Sequence, residues 1–409
     1  MFKIIALVLL SIIFLFQLFI NIKSYLSRKR PIPEEVKDIY DEETYTKWKA
    51  YSADKLKVDI IFSIINFIIS FALIITDVFA LITKSIDNVY LSTLVVLAIY
   101  IGLSAIIDIF IHGYITNIKI EGKYGFNKST SGTFVGDSIR KIIIMAVLMI
   151  GLTMLFISLY ESIGDYILIL FSAILIVIVL FVNILFPLLS KASNRFVSLE
   201  EGELRTRLMD LLTKHGFQIS DIKVMDASRR TTKSNAYFTG LGKTKTVVLY
   251  DNMLKTLSDD EIVAVFAHEL AHGLHKDSLK STPLSYLYIA ITVVLAWLLV
   301  RFPEIYKDFG FSGVSYGFGV ILLFDCVIGL VFRVLMIPRL ILSRRAEYKA
   351  DEFAAREGYG KELISGLKKL IRENLGHLNP DPLVVILSYS HPTLVQRIRN
   401  INQIMKKSS

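Results

Sequence analysis

Residues 261–277 read EIVAVFAHELAHGLHKD and contain the H-E-x-x-H motif His268-Glu269-x-x-His272. The stretch is rich in helix-forming residues and contains no proline, and Ser258 can act as an N-cap. These features predict a helix here. On a helix, His268 and His272 lie one turn apart on one face, so both imidazoles can reach one metal ion. Glu269 is rotated off that face and can instead contact a water molecule on the metal. A buried helix with two hydrogen-bonded histidines is the alternative interpretation.

The composition indicates a membrane protein. The chain has 409 residues, of which 53% are hydrophobic, and its mean hydropathy of +0.54 is too high for a soluble globule of this size. The net charge of +9 favours basic residues on the cytoplasmic side over nucleic-acid binding, because no basic face with interleaved aromatic residues is present. Cys326 is the single cysteine, which excludes an internal disulfide and a multi-cysteine zinc site. A metal ion would therefore be held mainly by His, Asp or Glu.

About seven apolar runs are long enough to cross a bilayer. They lie at 2–22, 60–82, 89–111, 142–159, 166–189, 286–300 and 315–337. The polar stretch 31–57 predicts helices at the membrane surface. The chain thus divides into an N-terminal membrane region with about five transmembrane helices (1–190), a soluble segment with a β-hairpin and the H-E-x-x-H helix (191–282), transmembrane helices six and seven (283–338) and a C-terminal helical part (339–409).

The charges between the runs orient the chain in the membrane. The loops 83–88, 160–165 and 301–313 carry few basic residues and several acids, whereas the remaining connections are basic. The positive-inside rule then predicts that the H-E-x-x-H helix lies on the cytoplasmic side.

Three acids fall within the apolar runs: Asp77, Asp108 and Asp325. Acids inside a bilayer are costly. They fit either a water-filled chamber or ion path, or positions near helix ends that reach water.

Short strands and one amphipathic helix are predicted ahead of the metal motif. They lie at 202–214 (helix), 221–225, 235–238 and 246–250 (strands), with a glycine-containing turn at 239–245. The strand with Asn235, Ala236 and Tyr237 is a candidate edge strand, which beside a protease site can pair with an extended peptide. Without the metal motif, an ordinary edge strand is the simpler interpretation.

A catalytic zinc ion needs a third protein ligand. Glu347 and Asp351 are spaced i, i+4, so Glu347 could ligate the metal while Asp351 accepts a hydrogen bond from a ligand histidine. Taken alone, a solvated charged helix explains this pair better. His391 stands before a helix-starting proline and could steady an oxyanion, with Arg397 anchoring an acidic neighbour, although a surface histidine is the better interpretation by itself.

Together these motifs resemble the type I CAAX prenyl protease family of integral-membrane zinc metalloendopeptidases. The resemblance rests on SNAYF at 234–238, His268-Glu269-x-x-His272, Glu347 with Asp351, SHP at 390–392 with Arg397, and the segments 32–43, 124–128 and 201–205. It covers essentially the whole chain.

The resemblance implies a mostly α-helical polytopic protein in which about seven transmembrane helices form a barrel-like chamber. A small α+β zinc-metalloprotease domain would lie on the cytoplasmic side. It implies one zinc ion held by His268, His272 and Glu347, with Glu269 as general base. Asp351 would lie behind the ligands or donate a proton.

Asn235 and His391 would then bind substrate or the oxyanion, Ala236 and Tyr237 would pair with the peptide, and Arg397 would orient neighbouring groups at the substrate site. The expected partners are a peptide or protein substrate, with its lipidation left open, and membrane lipid, but no nucleic acid. Two alternatives remain at this point. One is a quality-control protease like the HtpX group, which has fewer spans; the other is a transporter or channel, which has no use for the metal motif.

Overall fold

The computed structural model describes residues 1–239, 246–280 and 282–408, and helices dominate it. The longer helices are Phe2–Ser27, Glu42–Ile75, Val89–Ser104, Ser131–Ile163, Ile167–Ser193, Glu203–Lys214, Asp259–Leu274, Thr282–Arg301, Gly329–Ala354, Gly360–Glu373 and Leu394–Ser408. Shorter helices are Val78–Thr83, Glu121–Lys123, Asp251–Thr256, Asp277–Lys280, Glu304–Lys307, Tyr316–Ile321 and Pro382–Ser388. Four segments with π-helical hydrogen bonding extend three of these helices: Ala105–Gly113 and Ile115–Ile120 after Val89–Ser104, Leu322–Ile328 after Tyr316–Ile321, and Ala355–Tyr359 after Gly329–Ala354.

The predicted membrane spans are confirmed as helices. Six stretches of the described chain are long and apolar enough to cross a membrane: Phe2–Ser27, Glu42–Ile75, Val89–Lys123, Ser131–Val182, Thr282–Arg301 and Tyr316–Glu373. The stretch Ser131–Val182 contains two helices joined by the short turn Gly164–Tyr166, so all seven predicted runs are helical, with a break inside the run 60–82.

The second span differs from the prediction at both ends. Its helix begins at Glu42, capped by the Asp41 side chain on the Thr44 amide, so most of the polar stretch 31–57 belongs to the same helix as the span. The helix ends at Ile75, because Asp77 adopts a left-handed backbone with φ 54° and starts the separate helix Val78–Thr83. The apolar run at 60–82 therefore bends near its end.

A four-stranded sheet lies between the fifth span and the metal-motif helix. Its strands are β1 (Phe196–Ser198), β2 (Asp221–Met225), β3 (Ala236–Thr239) and β4 (Thr246–Tyr250), in the order β1-β2-β4-β3. β2 and β4 are parallel, while β3 and β4 pair antiparallel. The prediction that β3 is an edge strand is confirmed, whereas β1 was not predicted. The turn predicted at 239–245 lies almost wholly outside the described residues.

Candidate metal centre

The H-E-x-x-H helix Asp259–Leu274 is fixed at its amino end and buried along its length. Ser258 and Glu261 form a reciprocal capping box, so the predicted N-cap is confirmed. Glu261 also accepts hydrogen bonds from Ser365 at 2.6 Å and Lys369 at 2.7 Å, which join this helix to Gly360–Glu373. The helix packs in a core with Glu203–Lys214 and the sheet. A rigid, buried helix holds its two histidines at fixed positions.

Three donor groups converge at one point on this helix. The Nε2 atoms of His268 and His272 lie 3.3 Å apart. Glu347, from helix Gly329–Ala354, places Oε2 3.4 Å from His268 Nε2 and Oε1 3.4 Å from His272 Nε2. Glu347 is buried, and its Oε2 accepts no well-formed hydrogen bond from the described residues. This triangle of two imidazole nitrogens and a carboxylate is a donor set that can hold a metal ion.

Asp351 and Arg397 lie behind the triangle and hold His268. Asp351 is fully buried one turn after Glu347, and its Oδ1 lies 3.0 Å from His268 Nδ1. The Arg397 guanidinium donates to both oxygens of Asp351, at 2.6 and 3.0 Å. Arg397 is itself buried and lies 3.7 Å from Glu347 Oε2. Hydrogen bonding at Nδ1 leaves Nε2 of His268 as the nitrogen directed at the triangle.

Asp277 orients His272 by a contact at Nδ1, as Asp351 orients His268. It was not among the predicted site residues. Its Oδ2 lies 3.0 Å from His272 Nδ1, and Lys280 pairs with its other oxygen at 3.2 Å. Lys276 has a left-handed backbone with φ 54°, which turns the chain back after the helix. An acid five residues after the second histidine was the available signal, but the turn that brings it back had no glycine to mark it.

The electrostatics of the site favour protons on the histidines when no metal is present. Burial acts to lower the pKa of His272, but hydrogen bonds with Glu347 and Asp277 outweigh it and raise that pKa to about 9. Burial and the positive charge of Arg397 act to lower the pKa of His268. The hydrogen bonds with Asp351 and Glu347 outweigh them, so this pKa is also raised. Burial raises the pKa of Glu269, although the neighbouring histidines oppose it. Glu269 is thus a stronger base than an exposed glutamate.

The remaining predicted residues lie around this centre at different depths. His391 is 63% exposed at its side chain, and its Nδ1 lies 2.9 Å from Glu347 Oε1. Asn235 is exposed immediately before β3, and its carbonyl accepts from the Tyr250 amide. Ala236 packs against the core of the metal-motif helix, and Tyr237 stacks edge-on against Tyr250. The structure therefore brings His391 to the donor triangle, while Asn235 is exposed at the start of the edge strand.

Comparison with known proteins matches both halves of the chain. Residues 198–405 match the profile of peptidase family M48, and residues 21–191 match the profile described as CAAX prenyl protease N-terminal, five membrane helices. The chain is 31% identical to CAAX prenyl protease 1 homolog of Arabidopsis thaliana, covering 97% of this chain and 96% of that protein. It is 30% identical to CAAX prenyl protease 1 of Saccharomyces cerevisiae, covering 96% and 94%.

The fold agrees with these matches. The crystal structure of S. mikatae Ste24p superposes with a TM-score of 0.90 at 27% sequence identity, covering 98% of this chain and 99% of that one. The five-helix membrane profile and the apolar helices make the chain a multi-pass integral membrane protein. The M48 profile covers the two histidines, Glu269 and Glu347. The chain therefore belongs to peptidase family M48, in its CAAX prenyl protease group, and is an integral-membrane metallopeptidase.

Proposed function

We propose that this chain is a zinc endopeptidase that cleaves protein substrates near their C-terminus, as a CAAX-type processing protease. The observation that carries the proposal is the donor triangle of His268, His272 and Glu347 beside the partly buried Glu269. The CAAX class of substrate is that of the similar proteins, which are named CAAX prenyl protease 1. The proposal includes one zinc ion per chain.

The size of the triangle supports zinc. Ligand atoms about 2.0–2.1 Å from a tetrahedral zinc ion lie about 3.3–3.4 Å from one another. The distances between the donor atoms of His268, His272 and Glu347 are 3.3, 3.4 and 3.4 Å. A cation there would also bind Glu347 Oε2, which accepts no well-formed hydrogen bond from the described residues, and the two imidazole nitrogens that otherwise face each other. Zinc in this position would lower the pKa of water and polarise a peptide carbonyl.

The side chains around the triangle have different roles in hydrolysis. Glu269 takes a proton from the attacking water and returns it to the leaving amine, a role that its raised pKa suits. His391, exposed next to Glu347, donates a hydrogen bond to the oxyanion that forms on the attacked carbonyl. Asp351 and Arg397 act through His268, which they orient, so both serve as positioning residues.

The substrate lies along β3 as an added strand. β3 is the edge of the sheet, so its outer backbone groups can pair with an extended peptide. Asn235, Ala236 and Tyr237 supply that edge beside the metal-motif helix. We place this site on the cytoplasmic side, because the connections on that side carry the excess of Lys and Arg.

The test is the substitution Glu269→Gln in the purified full-length chain. It should keep the zinc content of the wild type and lose peptide cleavage by at least about 100-fold, since it removes the base but none of the three ligands. A prenylated CAAX peptide and its unmodified twin, each with and without chelator, report whether the lipid is recognised. Peptidase activity near wild type in Glu269→Gln, or cleavage insensitive to a chelator, would overturn the proposal.

A further inference from the structure

A cavity of about 690 Å³ opens at the amino end of the segment that leads into β3. Four basic and three acidic side chains line it, and two of the basic ones, Lys55 and Lys233, meet at a single acid, Glu121. Glu121 is 11% exposed at its side chain, while each lysine is 33% exposed. The two ammonium groups therefore lie at the surface of a recess rather than in bulk solvent.

One side-chain cluster in this cavity has more positive than negative charge: it consists of Tyr51, Lys55, Glu121 and Lys233. Glu121 Oε1 accepts from the Tyr51 hydroxyl at 2.6 Å and from Lys55 at 3.1 Å, and Glu121 Oε2 lies 3.0 Å from Lys233. Within the described parts of the chain, no other acid forms an ion pair with either lysine. Two ammonium groups facing one carboxylate leave a net positive charge, and a further carboxylate would balance it.

The other two acids that line the cavity each have a partner of their own. Asp137 pairs with Arg230 at 2.6 Å, and Asp108 accepts a hydrogen bond from Asn66 at 2.6 Å. Neither acid forms an ion pair with Lys55 or Lys233 among the residues that the structure describes. The fourth basic residue, Lys141, forms no ion pair with any residue that the structure describes, whereas Lys55 and Lys233 converge on one carboxylate.

The backbone that carries Lys233 is held in place. The amides of Lys128 and Thr232 form backbone hydrogen bonds that join residues 230–232 to residues 126–128. The buried Asn252 amide donates to the carbonyls of Thr231, at 2.8 Å, and Lys233, at 3.2 Å. The backbone of Lys233 is thus fixed, and its ammonium is held by the Tyr51 hydroxyl at 3.1 Å and by Glu121, which lowers the entropy cost of binding a ligand.

Strand direction connects this cluster to the metal centre. Lys233 lies three positions before Ala236, about 10 Å along an extended chain. A peptide that pairs antiparallel with β3 runs its carboxyl end past the start of the strand toward Lys233, whereas a parallel peptide would run it toward Thr239. A substrate cut near its C-terminus has a free carboxylate within a few residues of the scissile bond.

We propose that Lys55 and Lys233 bind the free C-terminal carboxylate of the peptide substrate, which pairs antiparallel with β3. This inference rests on the proposed function and deepens it. The pair of lysines would favour cleavage of bonds at a short, set distance from a chain end. Internal peptide bonds have no carboxylate to place in the cluster.

The experiment compares one CAAX peptide ending in a free acid with the same peptide ending in an amide. We expect the full-length wild type to favour the acid by about tenfold or more in kcat/KM. Lys233→Met should lower the ratio of acid to amide cleavage about tenfold, mainly through KM, while Lys233→Arg should keep the preference. Lys123→Met is the matched control, because Lys123 is 63% exposed and pairs with Asp54 at 2.7 Å; the ratio should not change.

Glu121→Gln separates binding from a purely structural role. It removes the carboxylate that competes for the lysines, so the preference for the acid should be kept or increase. If the cluster only joined the helices, this variant would lower cleavage of both peptides alike. Equal cleavage of the acid and the amide peptide by the wild type would overturn the carboxylate site and leave the proposed function standing. If the wild type cleaved neither peptide, the carboxylate site and the proposed function would both be overturned.

Discussion

Arg397 and Arg399 stand two residues apart on helix Leu394–Ser408 and should respond very differently to the same substitution. Arg397 is buried against the fully buried Asp351, with N–O distances of 2.6 and 3.0 Å. Opposite charges about 4 Å apart interact by about 4 kcal/mol at an effective dielectric constant of about 20. Arg397→Met leaves the buried Asp351 with His268 as its remaining partner, so a loss of about 3 kcal/mol in the free energy of unfolding is expected, at the lower end of the range for breaking a buried ion pair.

Arg399→Met is the control for this prediction. Arg399 is 63% exposed and its partner Glu35 lies at 2.7 Å, so water replaces the lost ion pair and the apparent Tm should hardly move. The assay is thermal unfolding of chelator-treated protein in one detergent, followed for both variants and the wild type. Similar Tm values for Arg397→Met and Arg399→Met would refute the reasoning that Arg397 neutralises a buried acid.

Three further predictions concern the metal centre and the membrane helices. Asp277→Asn should weaken zinc affinity about 10–100-fold by releasing Nδ1 of His272, whereas Asp259→Asn, at the exposed start of the same helix, should not; competition with a chelator measures both. Zinc affinity should rise with pH up to about 9, about tenfold per pH unit for one displaced proton, because the pKa of His272 in the metal-free chain is about 9 and zinc needs the neutral imidazole; pH-independent affinity would contradict this. Gly317→Ala should destabilise the protein by about 1–3 kcal/mol, since a Cβ there would lie 2.9 Å from Val96 Cβ and 3.0 Å from the Thr93 carbonyl oxygen, whereas Gly102→Ala has open space and should be neutral in the same unfolding assay.

Local signals made the metal-motif helix predictable from sequence. Ser258, Glu261 and the two histidines lie within fifteen residues, so a capping box and a one-turn spacing are both visible in the sequence. The β2 and β4 strands were predicted with their observed bounds for the same reason, because alternation and flanking turn residues are local. The break at Asp77 was not predicted, because a non-glycine residue at positive φ leaves no sequence signal.

The partners of the histidines come from distant parts of the chain, and periodicity alone did not select them. Glu347 and Asp351 share a helix face, but a solvated helix explained that spacing as well. Only the resemblance to a known family favoured the buried arrangement that the structure shows, with Arg397 closing on Asp351. Asp277 was missed although it is near in sequence, because its contact depends on the left-handed turn at Lys276.

The acids in the apolar runs show how one sequence signal can have two physical causes. Asp77 lies at a helix break and pairs with Lys3 at 2.5 Å, so it is an acid at a helix end, as one of the two interpretations held. Asp325 instead lies within a span, where the hydroxyls of Tyr100 and Ser70 donate to it at 2.7 and 3.2 Å. Because an acid inside the bilayer must be satisfied by protein or by water, these hydroxyls on two other helices require that Asp325 face the inside of the bundle. The polar contacts of Asp325 are therefore made between facing helices, whereas those of Asp77 are made at a helix end.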